Sequence, residues 1–237
     1  MQPTTMPMAT TPLKMLSSMA TREVLAALAA DFERATGQPV RAEAAGGVDV
    51  ANRVQAGEAV DVVVLAANAI DKLVAAGRVL AGSRVDLVKS GVAIAVRAGA
   101  PRPDVADEAA VKRAVAAARS LSYSTGPSGV YLEQLFERWG LLADIRPRIV
   151  VPPPGVPVGT LVARGEAELG FQQWSELMNV AGIEVLGPLP PSIQTITTFS
   201  GGVGAASTQA DAARRLLAFM AAPATAELKR RYGMASA

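Results

Sequence analysis

Residues 61–66, Asp-Val-Val-Val-Leu-Ala, constrain this chain more than any other stretch. Five apolar residues in a row, three of them β-branched, predict a strand buried on both faces. Such a strand needs helices above and below it, which is the arrangement of a parallel α/β sheet. The preceding sequence supplies those layers. Leu13 to Leu16 reads as a first strand, with Ser17, Ser18 and Met19 as the turn after it. Arg22 to Thr36 reads as a helix with Val24, Leu25, Leu28 and Phe32 on one face and Gly37 as its C-terminal cap. Val40 to Ala44 is a second strand. Gly46 and Gly47 make a tight turn, and Asp49 caps a helix that runs through Ala56 and stops at Gly57. After residue 66 a further helix, Ala69 to Ala76, ends at Gly77. This βαβαβα order predicts an open, doubly wound sheet with ligand loops at the carboxyl ends of its strands.

The remaining sequence repeats the theme. Leu87 to Val96 contains the apolar run 91–96, and Gly99 to Pro103 breaks the chain. Asp107 to Ala118 reads as a helix, Leu121 to Ser124 as a strand, Val130 to Trp139 as a helix and Ile145 to Val151 as a strand. Pro152 to Pro157 forms a rigid loop before a helix over Val158 to Ala163. A strand Glu168–Gln172, a short helix Trp174–Val180 and strands Ile183–Leu186 and Ile193–Phe199 follow, with Gly201, Gly202 and Gly204 after the last. Helices Gln209–Met220 and Ala224–Arg231 close the chain. Long apolar strands near 91–96 and 193–199 that cross between two sets of βα units fit a two-lobed clamp. The expected division is 13–90 with 198–237 for one lobe and 91–197 for the other, after a flexible N-terminal arm over 1–12.

Composition removes whole classes of chemistry. The 237 residues include neither cysteine nor histidine. Disulfides, thiolate nucleophiles, Ser-His-Asp arrangements and the usual zinc sites are excluded, and no metal or other cofactor is expected. Acid–base work falls to Asp, Glu, Lys or Tyr. The net charge is only +2, and no basic run interleaves with aromatics, so nucleic acid is not an expected partner. No stretch approaches the roughly 18 apolar residues of a membrane span. Met1 to Pro12 is rich in Thr, Pro and Met and lacks the basic start and apolar core of a signal peptide. The expected location is therefore the periplasm or another extracytoplasmic space if a signal segment was removed, and the cytoplasm otherwise.

Ser122 to Tyr131 is the stretch with the plainest ligand chemistry. A strand end leads through Gly126, Pro127 and Gly129 into an amphipathic helix. Ser124, Thr125 and Ser128 lie where they can cap the helix or contact a ligand. The first N–H groups of a helix lack partners and carry partial positive charge, so an anion can sit there without lysine or arginine. An ordinary capped turn fits the same residues. Small-residue loops recur at 17–19 and 46–48, which favours the anion reading.

Several segments together resemble the substrate-binding proteins of molybdate-type ABC transporters, which have the type II periplasmic-binding-protein fold. They are Asp31–Gly37, Val54–Val64, Pro127–Tyr131, Leu161–Gly170 and Lys229–Gly233. The resemblance covers nearly the whole chain after Pro12. It implies an α/β two-lobed clamp, each lobe a mostly parallel sheet flanked by helices, closing on a small anion. It also implies an ABC transporter membrane component as partner, and a monomer is expected. Matching the family's ligand positions points to Ser17, Ser18 and Met19 in the first loop and to Gly46, Gly47 and Val48 in place of a serine-rich second loop. Thr125 and Ser128 fall in the central turn, Gly155 or Val156 at a later backbone donor, and Gln173, beside Gln172, where the family has a tyrosine.

Several hydroxyl donors of that pattern are missing. A desolvated oxyanion depends on many converging donors, each worth about 1.5–3 kcal/mol when charged. Two glycines leave room and allow close backbone approach, and the glutamine amides both donate and accept. The expected ligand is thus an organic di- or tricarboxylate, or else an oxyanion, held by a solute-binding protein. The glycine-rich second loop and Gly170–Gln173 also resemble an aconitate-isomerase branch of the family. This keeps open an isomerase moving a proton in a tricarboxylate. For such an enzyme Arg22, Tyr123, Tyr131 and Glu133 are candidates, but no acid–base pair stands out in the sequence.

Overall fold

The computed structural model describes residues 11–153 and 155–237. The expected N-terminal arm lies, through residue 10, outside the described residues, as does Pro154 in the proline-rich loop. Among the described residues no helix is long and apolar enough to cross a membrane.

The first half follows the expected rhythm: β1 (Leu13–Ser18), a 3-10 turn (Met19–Thr21), α1 (Arg22–Thr36), β2 (Val40–Ala45), α2 (Gly47–Gln55), β3 (Val62–Ala66) and α3 (Ala67–Ala75). Both β2 and β3 pair parallel with β1. Alternation along β3 sends its side chains to both sides, as five apolar residues in a row required. Val62 and Val64 join Leu13, Met15, Leu25, Leu28 and Phe32 on one side. Val63 and Leu65 join Val50, Val54, Ile70 and Leu73 on the other. Each such side chain contributes about 1.5–3 kcal/mol when fully buried. Gly37 ends α1 at φ 71°, a left-handed conformation that favours glycine. Asp49 stands in the first turn of α2 rather than at its cap, because the helix already begins at Gly47.

The chain then enters β4 (Val85–Arg97), the longest strand. It continues through α4 (Glu108–Ala117), β5 (Leu121–Tyr123), α5 (Pro127–Arg138), α6 (Leu142–Ile145), α7 (Val158–Arg164), β6 (Leu169–Gln173), α8 (Trp174–Leu177), β7 (Ile183–Pro188) and β8 (Ile196–Val203). It ends with α9 (Ala210–Ala221), α10 (Ala226–Arg231) and β9 (Ala235–Ser236). The strand order is β2-β1-β3-β8-β4-β6-β5, with β7 and β9 also paired to β4. The first part of β4 pairs with β8 through Gly91. From Val92 onward it pairs with β6. One strand therefore serves two sheets, each with its own helices and core, and these form the two lobes. The second core gathers Val92, Ile94, Val111, Leu121, Leu132, Phe136 and Phe171.

Three local expectations change. The strand expected over Ile145–Val151 is instead the end of α6 and a 3-10 turn, Arg146–Arg148. Pro147 cannot donate to a ladder and its fixed φ suits the turn; only an isolated bridge, Leu121 to Ile149, remains. The expected strand Ile193–Phe199 lies at 196–203 and contains Gly201 and Gly202. These glycines are not terminators. A Cβ on Gly201 would come 2.4 Å from Leu217, and one on Gly202 2.5 Å from Val79, so bare backbone lets the flanking layers approach. In the second sheet, only β5 and β6 are parallel. The pairs of β4 with β6 and with β7 are antiparallel, so that sheet is less parallel than expected, because β4 enters it from the other lobe.

Candidate functional site

The topology places a crevice between the lobes. Ser18, Ala45 and Ala66 close the parallel strands of the first sheet. Tyr123 and Gln173 close those of the second, and Gln173 pairs with Val92, just where β4 passes between sheets. The carboxyl ends of both sets thus meet the crossing strands, the position at which open α/β sheets bind ligands.

Two hydrogen bonds tie the rims together: Ser175 Oγ donates to Ala20 O at 2.9 Å, and Asn179 Nδ2 to Glu23 Oε2 at 2.7 Å. Between them lies a pocket lined from one lobe by Met19 and Arg22 and from the other by Pro157 and Glu176. Glu176 is partly buried and receives a hydrogen bond from Gln172 Nε2 at 2.9 Å. Gln172 Oε1 in turn accepts from the Gly159 N–H in α7 at 3.4 Å. Loss of water pushes the Glu176 carboxyl up to about 7; the bond from Gln172 and the charge of Arg22 oppose that rise only in part.

The sequence candidates separate into groups. Ser17 is buried and its Oγ donates to Glu43 O at 3.4 Å, within the sheet. Ser18, at the end of β1, is 6% exposed, and its Oγ has no hydrogen-bond partner. Gly47 lies beside it; a Cβ there would be 3.7 Å from Ser18 Cβ. Gly46 is the residue before α2, and Val48 is exposed. Thr125 is exposed and lines a second pocket, with Tyr123, Glu133 and Arg146. Ser128 is buried and shares a 2.9 Å hydroxyl bond with Ser124. Gly155 is exposed at φ 76°. The Val156 N–H donates to Pro153 O at 3.0 Å, so the backbone donor expected there is already engaged within its own turn. Gln172 and Gln173 are both buried on opposite faces of β6, and Gln173 Nε2 donates to Thr197 Oγ1 at 2.9 Å while its Oε1 has no partner.

The family model for bacterial extracellular solute-binding proteins matches residues 13–235. The chain belongs to that family. It is similar to an aconitate isomerase from a Pseudomonas species, 42% identical over 219 residues, which are 89% of this chain and 82% of the relative. Among solved structures it is similar to the periplasmic molybdate-binding protein of Azotobacter vinelandii, with TM-score 0.77 and 21% identity over 94% of this chain and 98% of that one. The sulfate-binding protein of Mycobacterium tuberculosis gives TM-score 0.77 and 16% identity over 94% and 86%. At such identities the two structures establish the type II periplasmic-binding-protein fold that the sequence segments implied.

Among the enzyme candidates, the two tyrosines are occupied in this solute-binding fold. Tyr123 OH donates to Glu133 at 3.0 Å, and burial followed by that bond and the Glu133 charge raises its pKa, with Arg146 opposing. Tyr131 OH donates to Ile193 O at 2.8 Å. Arg22, the remaining charged candidate, is exposed, touches Glu23 at 3.4 Å and lines the pocket between the lobes. Glu176 is not marked in the sequence because it sits in a four-residue helix outside any motif, and the Arg22 charge that acts on it lies some 150 positions away.

Glu176 also makes a stability prediction. Its folded pKa lies above the ordinary 4.5, so the folded state holds the proton more tightly than the unfolded chain. Its contribution is fully present below about 4.5, is lost as pH rises through 7, and is flat above. The midpoint difference between parent and Glu176→Gln should therefore grow in favour of the variant from pH 5 to 8. A difference that does not change with pH would show that the carboxyl is not desolvated.

Proposed function

We propose that this protein binds a small organic di- or tricarboxylate between its lobes, as a solute-binding protein of ABC-transporter type. The observation that carries the reading is the pairing of Ser18, a buried hydroxyl without a partner, with the bare backbone at Gly46 and Gly47. A hydroxyl buried and unpaired costs about 1–3 kcal/mol unless something accepts it, and a carboxylate in the crevice would. Arg22 adds a charged, fork-shaped donor that matches carboxylate geometry. Few hydroxyls converge, which disfavours a compact tetrahedral oxyanion.

The lobes divide at 13–90 with 198–237 and at 91–197, and they close about the crossing strands β4 and β8, with ligand shifting the open–closed balance. The protein acts as a monomer outside the cytoplasm and delivers its cargo to a transporter membrane component. Its ligand set is drawn from Ser18, Met19, Arg22, Gly46, Gly47 and Gln173, without the Val156 N–H, which is bonded to Pro153 O. Calorimetric titration with molybdate, sulfate, citrate, cis-aconitate and trans-aconitate tests the reading. Binding of a carboxylate without binding of molybdate or sulfate is expected, and the reverse pattern would overturn it.

Ser18→Ala separates ligand contact from packing. Removing a buried hydroxyl that has no partner should leave the ligand-free thermal midpoint unchanged or slightly raised, while carboxylate affinity falls about tenfold, the loss of one charge-assisted bond. Unaltered affinity would remove Ser18 from the site.

A second reading has its own support. The 42% identical relative carries the name aconitate isomerase, and the pocket sets a carboxyl that titrates near neutrality within the field of an arginine. On this reading the clamp binds aconitate and interconverts its cis and trans forms by a 1,3-proton shift.

A further inference from the structure

We propose that Glu176 is the catalytic base of such a proton shift: it takes a proton from the methylene carbon of a bound unsaturated tricarboxylate and returns it to the former vinylic carbon. This rests on the isomerase reading above. Of the two carboxyls that line the pocket between the lobes, Glu176 and Glu23, the geometry recommends Glu176. It lines the pocket between the lobes, opposite Arg22, and it is held by Gln172 rather than by a cation in contact. Glu23, on the same pocket wall, is engaged by Asn179 at 2.7 Å and by Arg22 at 3.4 Å. Glu133 lies in the other pocket and accepts from Tyr123.

The step balances with one base. The methylene C–H bond breaks and its proton goes to a Glu176 carboxylate oxygen. The electron pair forms the new carbon–carbon double bond, the old π bond shifts, and negative charge develops on the carboxylate conjugated with it. Arg22 stands where it can stabilise that charge. Protonated Glu176 then delivers its proton to the carbon that was vinylic. The double bond has moved one position, the carboxylates have exchanged their cis and trans relation, and Glu176 is again ionised. No cofactor or oxidant takes part.

Gln172 is a positioning residue. Its Nε2 is bonded to Glu176 Oε1, and its Oε1 accepts from the Gly159 N–H in α7, so it orients the carboxyl. The other charged or titratable groups around that pocket are Arg22 and Glu23 at the start of α1 and Tyr232 after α10. A base with a value near neutrality suits proton transfer at physiological pH. The isomerisation rate should rise with pH through about 7 and level off above it.

The test follows trans-aconitate by proton NMR in deuterated buffer with the full chain, reading both interconversion and exchange of the methylene protons. Binding is measured separately by calorimetry. The parent should interconvert the isomers. Glu176→Gln should lose at least ~100-fold in rate and in proton exchange, with trans-aconitate affinity within a few-fold of the parent. Gln172→Leu, which removes a bond favouring the ionised carboxyl, should shift the pH–rate midpoint upward, a change that a merely structural glutamine would not produce. A Glu176→Gln protein that isomerises within tenfold of the parent would overturn the assignment while leaving the isomerase reading intact. A parent that binds trans-aconitate but neither interconverts nor exchanges it would overturn both. Should Glu176→Gln not fold, a parent pH–rate profile without a midpoint near 7, or one unmoved in Gln172→Leu, would overturn the proposal.

Discussion

Gly129→Ala should force α5 away from β5 and lower the stability of the protein. A Cβ at residue 129 would lie 1.6 Å from the Ser124 carbonyl oxygen and 2.8 Å from its carbon. Both are backbone atoms, so no side chain can rotate out of the way. The added methyl must displace either the end of β5 or the first turn of α5, and that turn holds the Ser124–Ser128 hydroxyl bond. Overpacking of this kind costs about 1–3 kcal/mol, and more where backbone must move. At 2–4 °C per kcal/mol for a chain of this size, the thermal midpoint should fall by roughly 5–10 °C. Gly126→Ala is the matched control, because a Cβ there meets nothing within 4 Å and the backbone angle is ordinary. Melting curves of the two variants decide the matter, and a Gly129→Ala protein as stable as Gly126→Ala would mean that the turn is not built as described.

Phe171→Ala should be strongly destabilising. Phe171 is fully buried on β6 and meets Phe136 edge to face at 6.0 Å. Phe136 also contacts Tyr123 and Trp139, each at 5.8 Å, so Phe171 is the β6 ring against which the Phe136 cluster of α5 rests. Deleting a buried phenylalanine costs about 3–5 kcal/mol, and the residual cavity sets the upper end. The same residue precedes Gln172 and Gln173, so the loss should also weaken ligand binding. Denaturant unfolding measures the effect. A change below about 1 kcal/mol would mean that α5 does not depend on β6 for its seat.

How far the sequence revealed this protein depended on the range of the interactions. The strand at 62–66 was legible because five successive apolar residues admit few alternatives, and α1 because its apolar face and Gly37 agree. Ile145 to Val151 reads as a strand by residue type, but strand formation needs a partner edge and Pro147 closes a turn instead. Gly201 and Gly202 looked like punctuation because their purpose, close approach of Leu217 and Val79, lies outside any local window. β9 is two residues long and has no pattern to read. At the crevice, the serines and glycines were visible as small-residue loops. Whether a hydroxyl is spoken for, as in Ser17, which bonds to Glu43 on the neighbouring strand, or unpaired, as in Ser18, depends on neighbours distant in the chain. Glu176 illustrates the same limit, since nothing in its own helix announces a carboxyl opposite Arg22.

The route of the chain through β4 and β8 has a consequence for the order in which the molecule can be built. β3 needs β8 as its antiparallel neighbour, and β8 is the last long strand, at residues 196–203. A ribosome must therefore release the whole second lobe before the first sheet can be completed. Until then β1, β2 and β3 form a small sheet whose β3 edge is open, and α9, which packs on the same core, has not yet appeared. Open edges and contacts of long sequence separation slow folding and favour association with other chains. The lobe that begins first is thus the one that finishes last, and a nascent chain stalled before residue 196 should remain a substrate for chaperones.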